Sequence, residues 1–291
     1  MRHSRNREFD EALKLTAEVS HWSELADDPN DPKALMWRSE MLRQAWKEDA
    51  PDRVDFLVER AHDRRVLDIG CVAHDVERMK SPLWAHGRIA NAARSCLGVD
   101  VHDSGVEEMN RLGYQARVHD FASGIGAFDG REFDVIVAGE LIEHVGDINM
   151  LFRTASKLLT ADGELILTSP NPWTPARVRA AQLGYVWENT DHILFAFPSG
   201  IAELASRHGL SLAEVRTTAI PSVKGSGWVE RIKALRRRVH GRQWMTVGFA
   251  TGGTRRVVRV GDTAVERWIR PMVWRRRRFM GESLIYVVKR A

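Results

Sequence analysis

A chain of 291 residues, 44% hydrophobic and 28% charged with a net charge of +4, has the composition of one large globular domain or two small ones with a sizeable buried core. No apolar run approaches the ~20 residues that cross a bilayer, and no apolar core of signal-peptide length follows Met1 to Glu8, so a cytoplasmic protein without a transmembrane segment is expected. Its two cysteines, Cys71 and Cys96, sit in or beside apolar strand-like segments where a reduced thiol packs well, and no disulfide framework is needed.

Residues 8 to 60 read as helical. Phe9, Leu13, Leu15, Val19, Trp22 and Leu25 supply an apolar face until the run Asp27 to Pro32 interrupts it, and a second helix follows through Trp37, Met41, Leu42, Ala45 and Trp46. Residues 1–62 are therefore expected to form an N-terminal helical cap whose aromatics pack on the main domain. From Arg64 the pattern changes to alternating strands and helices. Arg65 to Gly70 is the first strand and its turn, Ser95 to Asp100 the second, Gln115 to Phe121 the third and Phe133 to Ala138 the fourth. Gly163 to Ser169 is the fifth, after a helix through Leu151, Leu158 and Leu159. A helix near Ser199 to His208 leads to a strand at Leu212 to Thr218, and Ser283 to Lys289 closes the chain. The expected fold class is α/β: a Rossmann-like doubly wound sheet of about seven strands over 63–220 plus 283–291, with N-terminal helices and a basic insertion before the last strand.

That insertion, 221–282, carries sixteen Lys or Arg against four Asp or Glu, which leaves the rest of the chain at a net −8. Arg236 to Arg238 and Arg275 to Arg278 interleave with Trp228, Trp244, Trp268 and Trp274. Such a stretch suits contact with a polyanion: RNA, an anionic membrane surface or an acidic glycan. The plainer alternative is a solvated lid or a contact in a homo-oligomer.

Directly after the fourth strand comes Glu140-Leu141-Ile142-Glu143-His144. A switch to helical spacing here puts positions i, i+3 and i+4 on one face, so two carboxylates and an imidazole are expected to converge at a strand's C-terminal end, the ligand-binding edge of an open α/β sheet. The alternative is a solvated acidic helix start, which the helix dipole favours without any ligand.

Five motifs then stand in a familiar order: Val66 to Cys71, the acid Asp100 closing the second strand, His119-Asp120-Phe121, Phe133 to Glu140, and Asp162 to Pro172. Their order and approximate spacing resemble those of class I S-adenosylmethionine-dependent methyltransferases, over residues 64 to 220 plus the final strand. The resemblance implies S-adenosylmethionine as cofactor, bound by Asp68, Gly70, Asp100, Asp120 and Phe121. Gly70 would allow the cofactor close to the backbone, Asp100 would accept the ribose hydroxyls, Asp120 would meet the adenine amino group and Phe121 would cover the ring. Each has a structural alternative, since a strand-ending Asp often caps a helix and Phe121 can be plain core. Where the family has a Gly-rich loop, this chain has Cys71-Val72-Ala73-His74-Asp75, with Val72 and His74 in place of two glycines. The loop should be shaped differently, and a non-catalytic binding protein with a vestigial cofactor site is the alternative outside enzymes.

Within the family, Glu140-x-x-Glu143-His144 together with the later Asp191-His192 resembles the metal-dependent small-RNA 2′-O-methyltransferases and, more loosely, the quinol and sugar O-methyltransferases. This implies that Glu140, Glu143, His144 and His192 hold Mg²⁺ or Mn²⁺ along with two neighbouring acceptor hydroxyls. His144 or His192 as a metal-free general base is the alternative. Trp173, Tyr185 and Trp187 read as platforms for a sugar or base, or as hydrophobic covers. The expected activity is methylation of one hydroxyl of a vicinal diol in a small-molecule or oligosaccharide acceptor. The 3′-terminal ribose of an RNA and a quinol are the alternatives.

Overall fold

Among the residues described by the computed structural model, the apolar runs form a seven-stranded sheet. Those residues are 14, 17–73, 76–124, 126–128, 130–184, 186, 188–218 and 281–291. The strands are β1 (Arg65–Ile69), β2 (Ser95–Asp100), β3 (Ala116–Val118), β4 (Phe133–Gly139), β5 (Leu159–Pro170), β6 (Leu210–Thr217) and β7 (Ser283–Arg290). Their order is β3-β2-β1-β4-β5-β7-β6, parallel throughout except that β7 runs antiparallel to both its neighbours. Chain order reverses between β1 and β4, so the C-terminal ends of those two strands flank the crevice where such sheets take ligands. β4 and β5 are near-continuous apolar runs because helices cover both their faces.

Seven α-helices are described: α1 (Pro32–Ala45), α2 (Arg53–Ala61), α3 (Ala85–Ala92), α4 (Asp103–Arg111), α5 (Ile148–Leu158), α6 (Pro175–Gln182) and α7 (Pro198–Ser206). Side-chain caps start several of them. Asp31 accepts from the Lys33 amide, Asp52 from Val54 and Asp55, Asp147 from Met150 and Thr174 from Arg177, each satisfying donors that a first turn leaves open. The expected aromatic packing of the N-terminal region is seen at Trp37, which is buried, and at Trp46, which packs against the main core. Trp22 instead reaches α7, where its indole N–H donates to Glu203 at 3.0 Å. Between α1 and α2 the chain lies alongside β6, with the Lys47 amide donating to Val215 (2.9 Å) and the Ala50 amide to Thr217 (2.8 Å).

The third strand is shorter than its sequence pattern. After Val118 the His119 amide still donates to the Asp100 carbonyl, but the chain then turns into a 3-10 segment, Phe121–Ser123, with the Ser123 amide closing on the Asp120 carbonyl. Phe121 and Phe128 drop into the core from this turn. The expected first helix around Phe9 to Leu13 and most of the basic insertion, residues 219–280, lie outside the described residues.

Tyr286 ties β7 to the segment that leads into α7. It is fully buried in β7, and its hydroxyl donates to the Ala196 carbonyl at 2.7 Å. Tyr286→Phe leaves that buried carbonyl without a partner, which costs about 1–3 kcal/mol. The expected result is a Tm lower by about 2–4 °C per kcal/mol, measurable by scanning calorimetry, and an unchanged Tm would remove this tie from the account.

Candidate active site

The turn after β1 is built around Gly70, whose φ of +72° suits glycine and whose missing Cβ makes room for Leu141, since a Cβ there would lie 2.9 Å from Leu141 Cδ1. Of the two loop positions that lack glycines, Val72 is accommodated by a glycine on a neighbouring element, and Cys71 before it by another. Cys71 Sγ and the His86 ring fill the space above Gly98 of β2, where an added Cβ would meet them at 2.7 and 2.9 Å, and Val72 packs directly on Gly105 of α4. His74 and Asp75 lie outside the described residues. Asp100 holds this loop through one carboxylate oxygen, which accepts from the Val72 amide at 2.9 Å, while the other accepts from the His102 amide of its own turn at 3.0 Å. Each oxygen keeps a further lone pair for a hydroxyl.

Asp68 and Phe121 are more enclosed than a simple ligand-facing role requires. Asp68 is buried and paired with His86, Nδ1 to Oδ2 at 2.8 Å, while Nε2 of that buried ring has no hydrogen-bond partner. Phe121 is 4% exposed and packs among Phe128 and His119, so little of its ring is left to cover a ligand. Asp120 is exposed at the start of the same turn, beyond the C-terminal end of β3.

The segment after β4 differs from the helix expected of it. Ile142–His144 is a single 3-10 turn, and the true helix, α5, begins only at Ile148 after its Asp147 cap. Glu140 adopts φ +51° because its amide turns to donate to the carbonyl and hydroxyl oxygens of Thr168 on β5, at 3.0 and 2.9 Å. Its carboxylate accepts from the Thr168 hydroxyl (3.0 Å) and lies 3.9 Å from Arg53 Nε. The shared helical face of Glu140, Glu143 and His144 therefore does not form.

Three of the four expected ligands nevertheless meet. The Ile193 amide donates to the Glu143 carbonyl at 2.8 Å, which lays the 188–193 segment over the turn. One ligand atom from each of Glu143, His144 and His192 then lies within 4.8 Å of the others. The two imidazoles stand edge-on, centroids 4.7 Å apart, and Asp191 Oδ2 is 3.3 Å from His144 Nδ1. Glu143 is 1% exposed and both its carboxylate oxygens are buried without a hydrogen-bond partner. Burial, and then the neighbouring Glu140 charge, pushes its carboxyl up to about 8. A buried carboxyl aimed between two imidazoles, with neither oxygen satisfied, fits a bound divalent cation.

A family model described as a methyltransferase domain matches residues 39–215, more than half of the chain. The chain belongs to the class I S-adenosylmethionine-dependent methyltransferases. Among curated relatives it is similar to the ubiquinone biosynthesis O-methyltransferase of Aromatoleum aromaticum, 26% identical over 206 residues that cover 64% of this chain and 85% of the relative. The enzyme of the same description from Coxiella burnetii is 24% identical over 68% of this chain and 83% of that protein. Their class, O-methyltransferase, is the one the motifs implied. A solved S-adenosylmethionine-dependent methyltransferase from Archaeoglobus fulgidus shares the fold at a TM-score of 0.50 and 13% identity, covering 81% of this chain and 90% of that one. The doubly wound sheet expected from the sequence is thus the methyltransferase fold.

In this methyltransferase the β1 and β2 loops lie at one side of the crevice, and the turn after β4 with the 188–193 segment lies at the other. Reasoning from the sequence missed Glu188 and Arg177. A carboxylate four residues before His192 was a readable signal; the arginine on α6 that holds it was not. Trp173 packs on the core and faces Phe197 at 5.6 Å, while Tyr185 and Trp187 lie outside the described residues.

The raised Glu143 carboxyl has a definite consequence for stability. The folded state keeps a proton that the unfolded chain releases near the ordinary glutamate value of 4.5, so stability falls as pH rises from there to about 8 and stays low above it. Glu143→Gln in the presence of chelator should raise Tm at about pH 9 and leave it unchanged near pH 4. Thermal melts across that range check it, and an equal shift at both ends would mean that packing, not charge, is responsible.

Proposed function

We propose that this methyltransferase transfers a methyl group from S-adenosylmethionine to one hydroxyl of a vicinal diol, with Glu143, His144 and His192 holding Mg²⁺ or Mn²⁺ against the acceptor oxygens. The observation that carries the metal is the pair of buried, unpartnered Glu143 oxygens flanked by two imidazoles. Glu140 joins as a further ligand on release from Thr168. Carboxylate and imidazole donors together suit a hard or borderline divalent ion. When bound, the cation lowers the pKa of a hydroxyl that is otherwise a poor nucleophile and orients both oxygens.

The remaining work falls to the chain itself. Asp100 accepts the ribose hydroxyls, Asp120 and the backbone around Phe121 meet the adenine, and Gly70 with Asp68 borders the methionine end of the donor. The sulfonium is already a good leaving group, so the acceptor side must only place one oxygen in line and take its proton. Without a metal, His144, backed by Asp191, or His192 would instead accept that proton as general base.

The sequence pointed first to a sugar or oligosaccharide, and Trp173 can stack on a sugar ring. Two features favour the quinol or catechol instead. Ile193 and Phe197, on the segment that follows His192, are 61% and 46% exposed, a flank better matched to an aromatic or aliphatic substituent than to a hydroxylated ring. The curated relatives, moreover, are named for ubiquinone biosynthesis. A polyanion contact through 221–282 is an independent proposal from charge alone.

Chelation is expected to abolish methyl transfer while donor binding persists, and Mn²⁺ or Mg²⁺ should restore turnover. Full turnover in excess chelator would leave His144 or His192 as a plain general base. Labelled donor offered with catechols and quinols, saccharides and RNA 3′ ends in parallel identifies the acceptor class, and labelling of saccharide alone would reverse the preference argued above.

On the donor side, Asp100→Ala and Asp120→Ala should each weaken S-adenosylmethionine binding about ten- to a hundred-fold, the effect of losing one hydrogen bond to a charged group. Calorimetric titration measures this, and unchanged affinity in both variants would remove the ribose and adenine assignments.

A further inference from the structure

Glu188 stands four residues before His192, and its Oε1 lies 2.8 Å from the His192 Nδ1. The same oxygen accepts from the Asn189 amide (3.2 Å) and from Arg177 Nη2 (2.9 Å), and the other accepts from Arg177 Nε. Arg177 is itself anchored. Its Nη1 donates to the Asn171 carbonyl just beyond β5 at 3.1 Å, and its guanidinium lies 5.7 Å from the Phe195 ring centroid. A two-pronged arginine contact of this kind fixes the carboxylate in direction as well as in place. The side chains of Glu188 and His192 are only 9% and 6% exposed, so water competes little.

Burial alone would push the Glu188 carboxyl up, but hydrogen bonds from Arg177 and the Asn189 amide bring it below its usual value and keep it charged. A carboxylate against one imidazole nitrogen favours the tautomer with the proton on that nitrogen, and the lone pair is then on the other. Asn189 Nδ2, 3.3 Å from Nε2, is a donor that fits the same tautomer. The Glu188 oxygen sits off the line of a good hydrogen bond to Nδ1, so its effect is that of a fixed charge beside the ring.

We propose that Glu188, clamped by Arg177, is the positioning residue for His192: it holds the ring with the proton on Nδ1 and so leaves the Nε2 lone pair for a divalent cation or for the acceptor proton. This rests on the role given to His192 above. Glu188 has no contact with the reacting atoms itself. Its influence passes through one imidazole, and Arg177 extends it to the loop after β5.

Glu188→Ala would strand a buried guanidinium and endanger folding, so Glu188→Gln is the variant to use. Its amide oxygen can still accept from Arg177, while the negative charge beside His192 is removed. With that charge gone the proton is no longer held on Nδ1, and the Nε2–H tautomer gains. Nitrogen-15 spectra of the full-length protein in chelator should show the Nδ1–H tautomer for His192 in the parent and the Nε2–H tautomer in Glu188→Gln. Titration with Mn²⁺ alone, followed by electron paramagnetic resonance, should show about ten- to a hundred-fold weaker binding in Glu188→Gln, with S-adenosylmethionine affinity unchanged. In a His192→Ala background the same substitution should have no further effect on Mn²⁺. A His192 tautomer that ignores Glu188→Gln, or a Mn²⁺ loss that persists in full without His192, overturns the proposal. A parent protein that shows the tautomer switch but binds no Mn²⁺ keeps the positioning role and removes the metal from the proposed function.

Discussion

One backbone hydrogen bond, from the Ile193 amide to the Glu143 carbonyl, joins two stretches of chain that β5 and α6 separate in sequence. The turn after β4 belongs to the sheet, positioned by Glu140 and Leu141. The 188–193 stretch belongs to the loop after α6, positioned by Arg177. Together with the Arg177 clamp and the Asp191 contact to His144, this bond fixes His192 relative to Glu143 and His144. A buried carboxyl and two imidazoles thereby share one small volume, and each part of the cluster inherits the rigidity of β4 or β5.

The loop after β1 is secured by a different logic. In the described part of the β1 loop, space for larger side chains is left on the neighbours, at Gly98 under Cys71 and at Gly105 under Val72. Asp100 accepts from the Val72 amide of that loop and from the His102 amide of its own, a structural task for this carboxylate. The altered motif therefore redistributes small residues around the turn, and its departure from the family pattern does not by itself argue for a vestigial site.

Much of this was legible in the sequence because strand identity depends on local apolar runs. β1, β2, β4 and β7 announced themselves in that way, and the alternation of strand and helix implied the doubly wound order. The run Glu140 to His144 misled because its i, i+3, i+4 spacing is equally compatible with a helix and with a tight turn. What decided between them was Thr168, a residue on the next strand whose hydroxyl and carbonyl capture the Glu140 amide. Phe121 was ambiguous for the same reason: nothing local says whether an aromatic after a strand turns inward, and Phe128 and His119 decided it. Arg177 and Glu188 could not be paired from sequence at all, since the pairing requires the loop after α6 to fold back.

The strip of chain between α1 and α2 bears on how copies of the protein behave toward one another. By pairing its Lys47 and Ala50 amides with β6, it occupies backbone acceptors that an outer strand would otherwise offer to another chain. At the far side β3 is only three residues long, too short to template an added strand. The described sheet is thus blunted at both margins, which guards a strongly apolar seven-stranded core against edge-to-edge aggregation during and after folding. Any self-association through the described residues has to be made by helix faces and loops.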